Sequence, residues 1–226
     1  AQLYQFNYVD HKSSPCVPIV TEANRDQVAL EGAPRATVEE VYAQILSDIN
    51  KAIDLLTAAQ VDGVKRADKR YIDLAVAYGL RARVNLTMEN WSAAAADAQA
   101  AINASDATPY TIAQVSKPAF MDSKDNAWMW GIVIAETDRV VTSGIVNWPS
   151  HMGSLNYGYA NFSGGHQINK ALFNSIPATD VRKGWWIDEN CYSPNLDEEQ
   201  AWFMKDYCGY VPYTHCKFAP YANEVY

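Results

Sequence analysis

Between Thr37 and Ala104, apolar residues recur at three- and four-residue spacing in three consecutive stretches separated by polar turns. A chain patterned in this way is constrained to form helices that bury their apolar faces on one another. Thr37 is a good N-cap, and Glu40 three residues on completes a capping box, in which each residue satisfies a backbone N–H of the other. Val38, Val41, Tyr42, Ile45, Leu46, Ile49, Ile53 and Leu56 then define an apolar face, while Glu39, Gln44, Asp48, Lys51 and Asp54 read as its solvated reverse. A loop from Ala58 to Lys69 with Gly63 and the basic residues Lys65, Arg66, Lys69 and Arg70 reads as a solvated connector.

The second stretch, Tyr71 to about Met88, mixes small and large apolar residues around its circumference, so this helix is expected to be buried on more than one side. After the turn at Glu89-Asn90, Trp91 to Ala104 is dense in alanine, which favours helix and lets helix axes approach closely. Tyr78, Ala82, Trp91, Ala94, Ala98 and Ala101 fall where a tetratricopeptide repeat alternates large and small residues, whereas Arg81 and Asn85 depart from it. Only one good copy is present, with a looser partner in Thr37 to Leu56, and a self-sufficient solenoid needs about three units. The helices must therefore lean on something else.

Composition sets the outer limits. With 226 residues, 49% of them hydrophobic, the sequence can bury a core as one domain or two small ones. No apolar run approaches the roughly 18 residues of a membrane-spanning helix, and residues 1 to 30 lack the pattern of a signal peptide. The start at Ala1-Gln2-Leu3, as though already inside a helix, suggests a piece of a longer protein. A net charge of -8 argues against nucleic acid as a partner, since phosphate binding needs clustered Lys and Arg. Cys16, Cys191, Cys208 and Cys216 have no metal-site spacing, so no metal or other cofactor is expected. Cys191, Cys208 and Cys216 are near enough in sequence to bridge in an oxidising compartment, or to remain buried thiols.

Two regions are expected: a helical one over 1–105, and an irregular, loop-rich one with short strands and helices over 106–226 that carries the ligand side. In the second, Ala127 to Ala135 alternates around Trp128, Trp130, Ile132 and Ile134 and reads as a mostly buried strand. The segment from Ile145 to Gln167 combines aromatics, amides and histidines with four glycines. A neutral, hydroxyl-rich ligand needs such a set: aromatic faces for its C–H surfaces, uncharged donors and acceptors for its hydroxyls, and glycines for close approach. Catalytic patterns are thin by comparison. Ser154 lies in no G-x-S-x-G elbow, and the acidic pairs Glu39-Glu40, Asp188-Glu189 and Asp197-Glu198-Glu199 have ordinary readings as caps or polar loops.

Several segments resemble, in order, those of SusD/RagB-like proteins. Val17-Pro18-Ile19-Val20-Thr21-Glu22 is similar to the family's V-P-L-x-T-E segment. Arg35-Ala36-Thr37 leading through Glu40-Val41-Tyr42 to Ile45, Asp48, Ala52 and Leu56 resembles its R-x-T-x-x-E-V-Y helix. Arg81 to Leu86 resembles A-R-V-Y-L, and Trp91 with Ala94 and Ala98 its continuation. Asn126 to Ile134 resembles N-E-I-I-F-x-I, and Leu172-Phe173 with Asp180-Val181-Arg182 resembles L-x-x-x-F-x-x-x-D-x-R. Pro15, Asn85 and Trp128 depart from those patterns, the first two in ways expected to affect packing only.

The resemblance implies a mainly α fold with a tetratricopeptide-like scaffold, and a lipid-anchored, cell-surface glycan-binding protein of an outer membrane. The chain would be the middle portion of such a protein, without the anchoring cysteine or the C-terminal region. It implies no catalysis, and docking to a SusC-like TonB-dependent transporter that imports the captured oligosaccharide. By that analogy Trp148, Tyr157 and Tyr159 would cover sugar ring faces, and Asn147, Asn156 and His151 would meet hydroxyls. Two other readings stay open: a tetratricopeptide-type adaptor for a protein partner, and a glycoside hydrolase using one of the acidic pairs.

Overall fold

The computed structural model describes residues 7–120, 122–132, 137, 139, 151–155 and 164–219. They belong to two compact units, Ala1–Asp106 and Ala107–Tyr226.

The first unit contains α1 (Arg25–Glu31), α2 (Val38–Val61), α3 (Leu74–Thr87) and α4 (Trp91–Ala104). The capping box opens α2 as expected: Glu40 N–H donates to Thr37 Oγ1 at 3.2 Å, and Thr37 N–H to Glu40 Oε2 at 2.8 Å. This helix outruns its apolar pattern. Nothing in Thr57-Ala58-Ala59-Gln60 breaks a helix, so α2 continues through the first residues of the expected loop and stops at Asp62-Gly63, where Gly63 takes φ 74°. Conversely α3 starts three residues late, at Leu74 rather than Tyr71. The Asp73 carboxylate accepts the Val76 N–H at 2.9 Å and pairs with Arg66 at 2.9 Å, which fixes the start and leaves Tyr71 and Ile72 exposed. Arg66 therefore does more than solvate the connector.

The stretch before α2 is strapped to its first turn. Cys16 N–H donates to Ala36 O at 2.7 Å, Ala36 N–H to Val17 O at 3.1 Å, and Arg35 Nη2 to Pro15 O at 2.8 Å. These bonds bury Cys16 among Val38, Val41 and Tyr42, with the Tyr8 ring edge-on to Tyr42 at 5.0 Å.

Between α3 and α4 the small residues act as expected: Ala75, Ala77, Ala94 and Ala101 are buried, and a Cβ placed on Gly79 would sit 4.0 Å from that of Ala101. Asp97 is also buried there. Arg81 donates to both of its oxygens, at 2.9 and 2.6 Å, and the Asn85 amide donates to it at 3.0 Å. Arg81 also reaches Asn50 Oδ1 of α2 at 2.8 Å. The two departures from the repeat pattern are thus the two side chains that satisfy one buried carboxylate.

The second unit contains α5 (Ile112–Val115), α6 (Lys170–Ser175), a 3-10 turn (Val181–Trp185), and α7 (Glu198–Trp202) running into a π turn (Phe203–Tyr207). Leu155, Ile187, Phe203, Met204, Tyr210, Cys216 and Ala219 form its core. Where short strands were expected, the described residues show isolated bridges, Ala119 with Phe218, Gln167 with Thr214 and Trp186 with His215. The strand predicted from Ala127 is corrected over 127–132, which is turn and coil. Trp128 N–H donates back to Asp125 O in a local turn at 3.1 Å, and Asn126 O accepts from the distant Thr108 N–H at 3.0 Å, so groups that a ladder would need are already used. Trp128 is 37% exposed, Trp130 43% and Ile132 89%, so none is core. Residues 133–135 lie outside the described set.

Trp185 ties the unit together, its indole N–H donating to Val115 O at 2.7 Å while the Lys217 ammonium lies over its ring at 4.3 Å and over Phe120 at 4.7 Å. No described helix is long and apolar enough to cross a membrane.

Candidate ligand-binding site

Of the six residues predicted to contact ligand, Trp148, Tyr157, Tyr159, Asn147 and Asn156 lie outside the described residues, and His151 lies within them. The His151 carbonyl accepts from His166 Nε2 at 2.9 Å, which places the His166 proton on that nitrogen. His166 stacks on His215 with ring centres 6.2 Å apart, and His215 meets Phe218 edge-on at 5.5 Å. Burial lowers the His215 pKa to about 4, helped by His166 and Lys217 and partly offset by the Met152 backbone. His166 O in turn accepts the His215 N–H at 2.9 Å, and Ile168 N–H donates to Tyr213 O at 3.0 Å. Gly165 is required there: its φ is 75°, and a Cβ would lie 2.6 Å from the Thr214 methyl group. Both described flanks of the aromatic segment are therefore anchored to the core, 151–155 through buried Ser154 and Leu155 and 164–168 through the backbone pairing with 213–215.

The second unit also holds an open cleft of about 480 Å³ whose walls include Phe173, Lys183, Trp186, Asp188, Tyr192 and Asn195. Its shape comes from the turns around Ile187. Ile187 is fully buried and exchanges backbone hydrogen bonds with Thr214 and Tyr213 at 3.0 and 2.9 Å, which fixes its neighbours Trp186 and Asp188 at the surface. Asp188 closes the next turn, accepting at Oδ1 from Asn190 N–H at 2.8 Å and Tyr192 N–H at 2.9 Å, with Cys191 at φ 60°. Ser193 then donates to Gly184 O at 2.6 Å and accepts from Asn195 N–H at 3.1 Å. These bonds press the Asn195 amide against Gly184, where a Cβ would meet it at 2.5–2.7 Å.

Most charge around the cleft is spoken for. Asp180 pairs with Arg182 at 2.6 Å and caps the 3-10 turn, and the Arg182 hydrogen bonds hold its pKa down at about 2. Lys183 donates to Ile176 O at 2.9 Å and lies 5.0 Å over the Phe173 ring. Two groups are left over. Asp188 Oδ2 has no hydrogen bond or ion pair among the described residues, and the buried Asn195 Nδ2 has no partner there either. The sequence offered one signal for this cleft, the Trp185-Trp186-Ile187-Asp188 run. Trp186, Tyr192 and Asn195 carry no signal of their own in the sequence, because their placement depends on turns that spacing does not reveal.

The acidic pairs have structural uses: Glu40 in the α2 capping box, Asp188 in its turn, and Asp197 in a capping box with Gln200 at the start of α7. All four cysteines are thiols, with Cys16 and Cys216 buried and Cys191 and Cys208 half-buried. Burial pushes the Cys216 pKa up to about 12.

Residues 1–86 match a family model, SusD-like_3, described as "Starch-binding associating with outer membrane". No curated protein matches the sequence. Among solved structures, the chain is similar to a SusD-like carbohydrate binding protein from Bacteroides vulgatus ATCC 8482, with 22% identity and a TM-score of 0.70 over 98% of this chain and 42% of that one. It is also similar to a SusD superfamily protein from Bacteroides thetaiotaomicron VPI-5482, with 18% identity and a TM-score of 0.56 over 96% of this chain and 44% of the other. The chain thus spans less than half the length of either. At these identities the structures establish a shared fold, and the family match carries the sequence relationship over residues 1–86.

Proposed function

We propose, from the premise that this chain is SusD/RagB-like, that it captures an oligosaccharide at a bacterial cell surface without transforming it. The observation that carries the reading is the match of residues 1–86 to a family of starch-binding proteins associated with the outer membrane. The composition of the segment after Ile145 supports it. Trp148, Tyr157 and Tyr159 supply ring faces, and Asn147, Asn156 and His151 supply donors and acceptors for hydroxyls. The anchored flanks at 151–155 and 164–168 give that segment fixed points of attachment.

Delivery to a SusC-like TonB-dependent transporter, and attachment to the outer membrane through a lipid anchor on the longer protein, complete the proposed role. The helical unit with α2, α3 and α4 is the transporter-facing scaffold in this reading. Titration with a panel of soluble oligosaccharides, followed by tryptophan fluorescence, tests the capture step. At least one glycan should shift the emission saturably, and Trp148→Ala should remove most of the shift. A wild-type protein whose emission no glycan alters would refute it.

A further inference from the structure

We propose that Trp202 and Tyr207 form a surface platform on which a polysaccharide chain stacks, in addition to the contacts of segment 147–159. The proposal rests on the glycan-capture reading and adds a second place of contact to it. A π turn creates the pair. In a regular α-helix, residues five apart point about 140° away from one another. At the end of α7 the winding widens, and Cys208 N–H donates to Phe203 O, five residues back, at 2.9 Å. The Trp202 and Tyr207 rings are thereby in contact, with centres 5.7 Å apart and planes tilted by 44°. Tyr207 also stacks on Phe203 at 5.4 Å, and Phe203 and Met204 are buried in the core of the unit. The pair is thus rooted in the core, yet Trp202 is 52% and Tyr207 54% exposed.

The surroundings indicate what covers these rings. Glu198 and Glu199 lie four and three residues before Trp202 on α7, the positions toward which a helical side chain leans. Lys205 and Asp206 come between the two rings in sequence. All four are exposed, and their side chains make no hydrogen bond or ion pair among the described residues. A protein partner would have to accept these charges within its contact, where interfaces are depleted of charge. A sugar ring differs in having an apolar C–H face for the aromatics and hydroxyls around its edge. Those hydroxyls donate to carboxylates and accept from an ammonium. Two aromatic planes inclined to one another suit successive rings of a chain that turns from one residue to the next.

The test runs the full chain through native gels containing soluble amylopectin, xyloglucan or glucomannan, with melting curves recorded for every variant. At least one polysaccharide should retard the wild type. Trp202→Ala and Tyr207→Ala should each raise the apparent Kd for it about five- to tenfold, and Tyr207→Phe, which keeps the ring, should stay within about twofold. Trp202→Ala decides alone if Tyr207→Ala melts early, because Tyr207 is the ring that stacks on the core. If Trp202→Ala is retarded as strongly as the wild type, the platform is wrong and glycan capture stands. Loss of a wild-type dimer in Trp202→Ala, with retardation unchanged, would identify the rings as a contact between copies and overturn the platform in the same way. A wild type that responds to oligosaccharides but is retarded by none of the three polysaccharides also overturns it. No response to either kind of glycan removes both readings.

Discussion

Arg81 of α3 grips Asp97 of α4 with two hydrogen bonds, 2.9 Å from Nε and 2.6 Å from Nη2, at a point where the carboxylate is 9% exposed. Two helices with alanine-rich contacts have little side-chain volume with which to fix their register, and this fork supplies a directional link between them. Asn85 adds a third hydrogen bond to the carboxylate from the same helix, and Asn50 Oδ1 of α2 accepts from Arg81 Nη1.

Removing the carboxylate should therefore cost more than a surface pair. Asp97→Ala leaves the Arg81 guanidinium and the Asn85 amide without their acceptor, and is expected to lower unfolding stability by about 2–4 kcal/mol in urea titrations. Arg81→Lys should not restore the wild-type value, because an ammonium cannot make the fork. A loss under about 0.5 kcal/mol would place the pair among weak surface bridges.

The alanine contact also predicts a gain. Gly79 lies inside α3 with a helical backbone, and an added methyl group meets only the Ala101 Cβ, at 4.0 Å. Gly79→Ala should stabilise the protein by roughly 0.5–1 kcal/mol through helix propensity and a less flexible unfolded chain, read as a higher melting temperature.

Gly184→Ala is expected to do the reverse. Its methyl group would collide with the Asn195 amide at 2.5–2.7 Å, and both sides of the contact are held by Ser193. A destabilisation of about 1–3 kcal/mol should appear in denaturant titrations.

His215 gives the protein a pH dependence of defined sign. Its folded pKa of about 4 lies below the ordinary histidine value, so between the two the unfolded chain binds the extra proton. The stability from keeping it neutral is complete above about pH 6.5, declines as pH falls toward 4, and changes no further below that. The decline attributable to this group is on the order of 3 kcal/mol. In His215→Phe, which keeps a ring between His166 and Phe218, the slope of unfolding free energy over this interval should flatten.

Much of the first unit was legible because its signals are local. Thr37 and Glu40 cap α2 through neighbours three residues away, and the alanine run of α4 needs only its own propensity. Asp97 was not legible, because its partners lie 12 and 16 residues away and nothing in an alanine-rich helix marks one aspartate as buried. The same limit explains the strand expected from Ala127. Alternation reports a strand only where a partner backbone runs alongside, whereas Trp128 spends its N–H in a turn with Asp125 and Asn126 its carbonyl on a single bond from Thr108. At the Trp186 cleft, Asp188 read as a polar loop residue, which it is in part. Trp186 and Asp188 line one cleft only because Ile187 between them pairs with Thr214, a contact across 27 residues of sequence.

The central claim is that this chain holds a glycan, and calorimetric titration with soluble malto-oligosaccharides and a wider set of neutral oligosaccharides addresses it most directly. The account predicts saturable heat for at least one of them, diminished in Trp148→Ala. Flat titrations with every glycan, from a protein whose circular dichroism shows its helices intact, would contradict it.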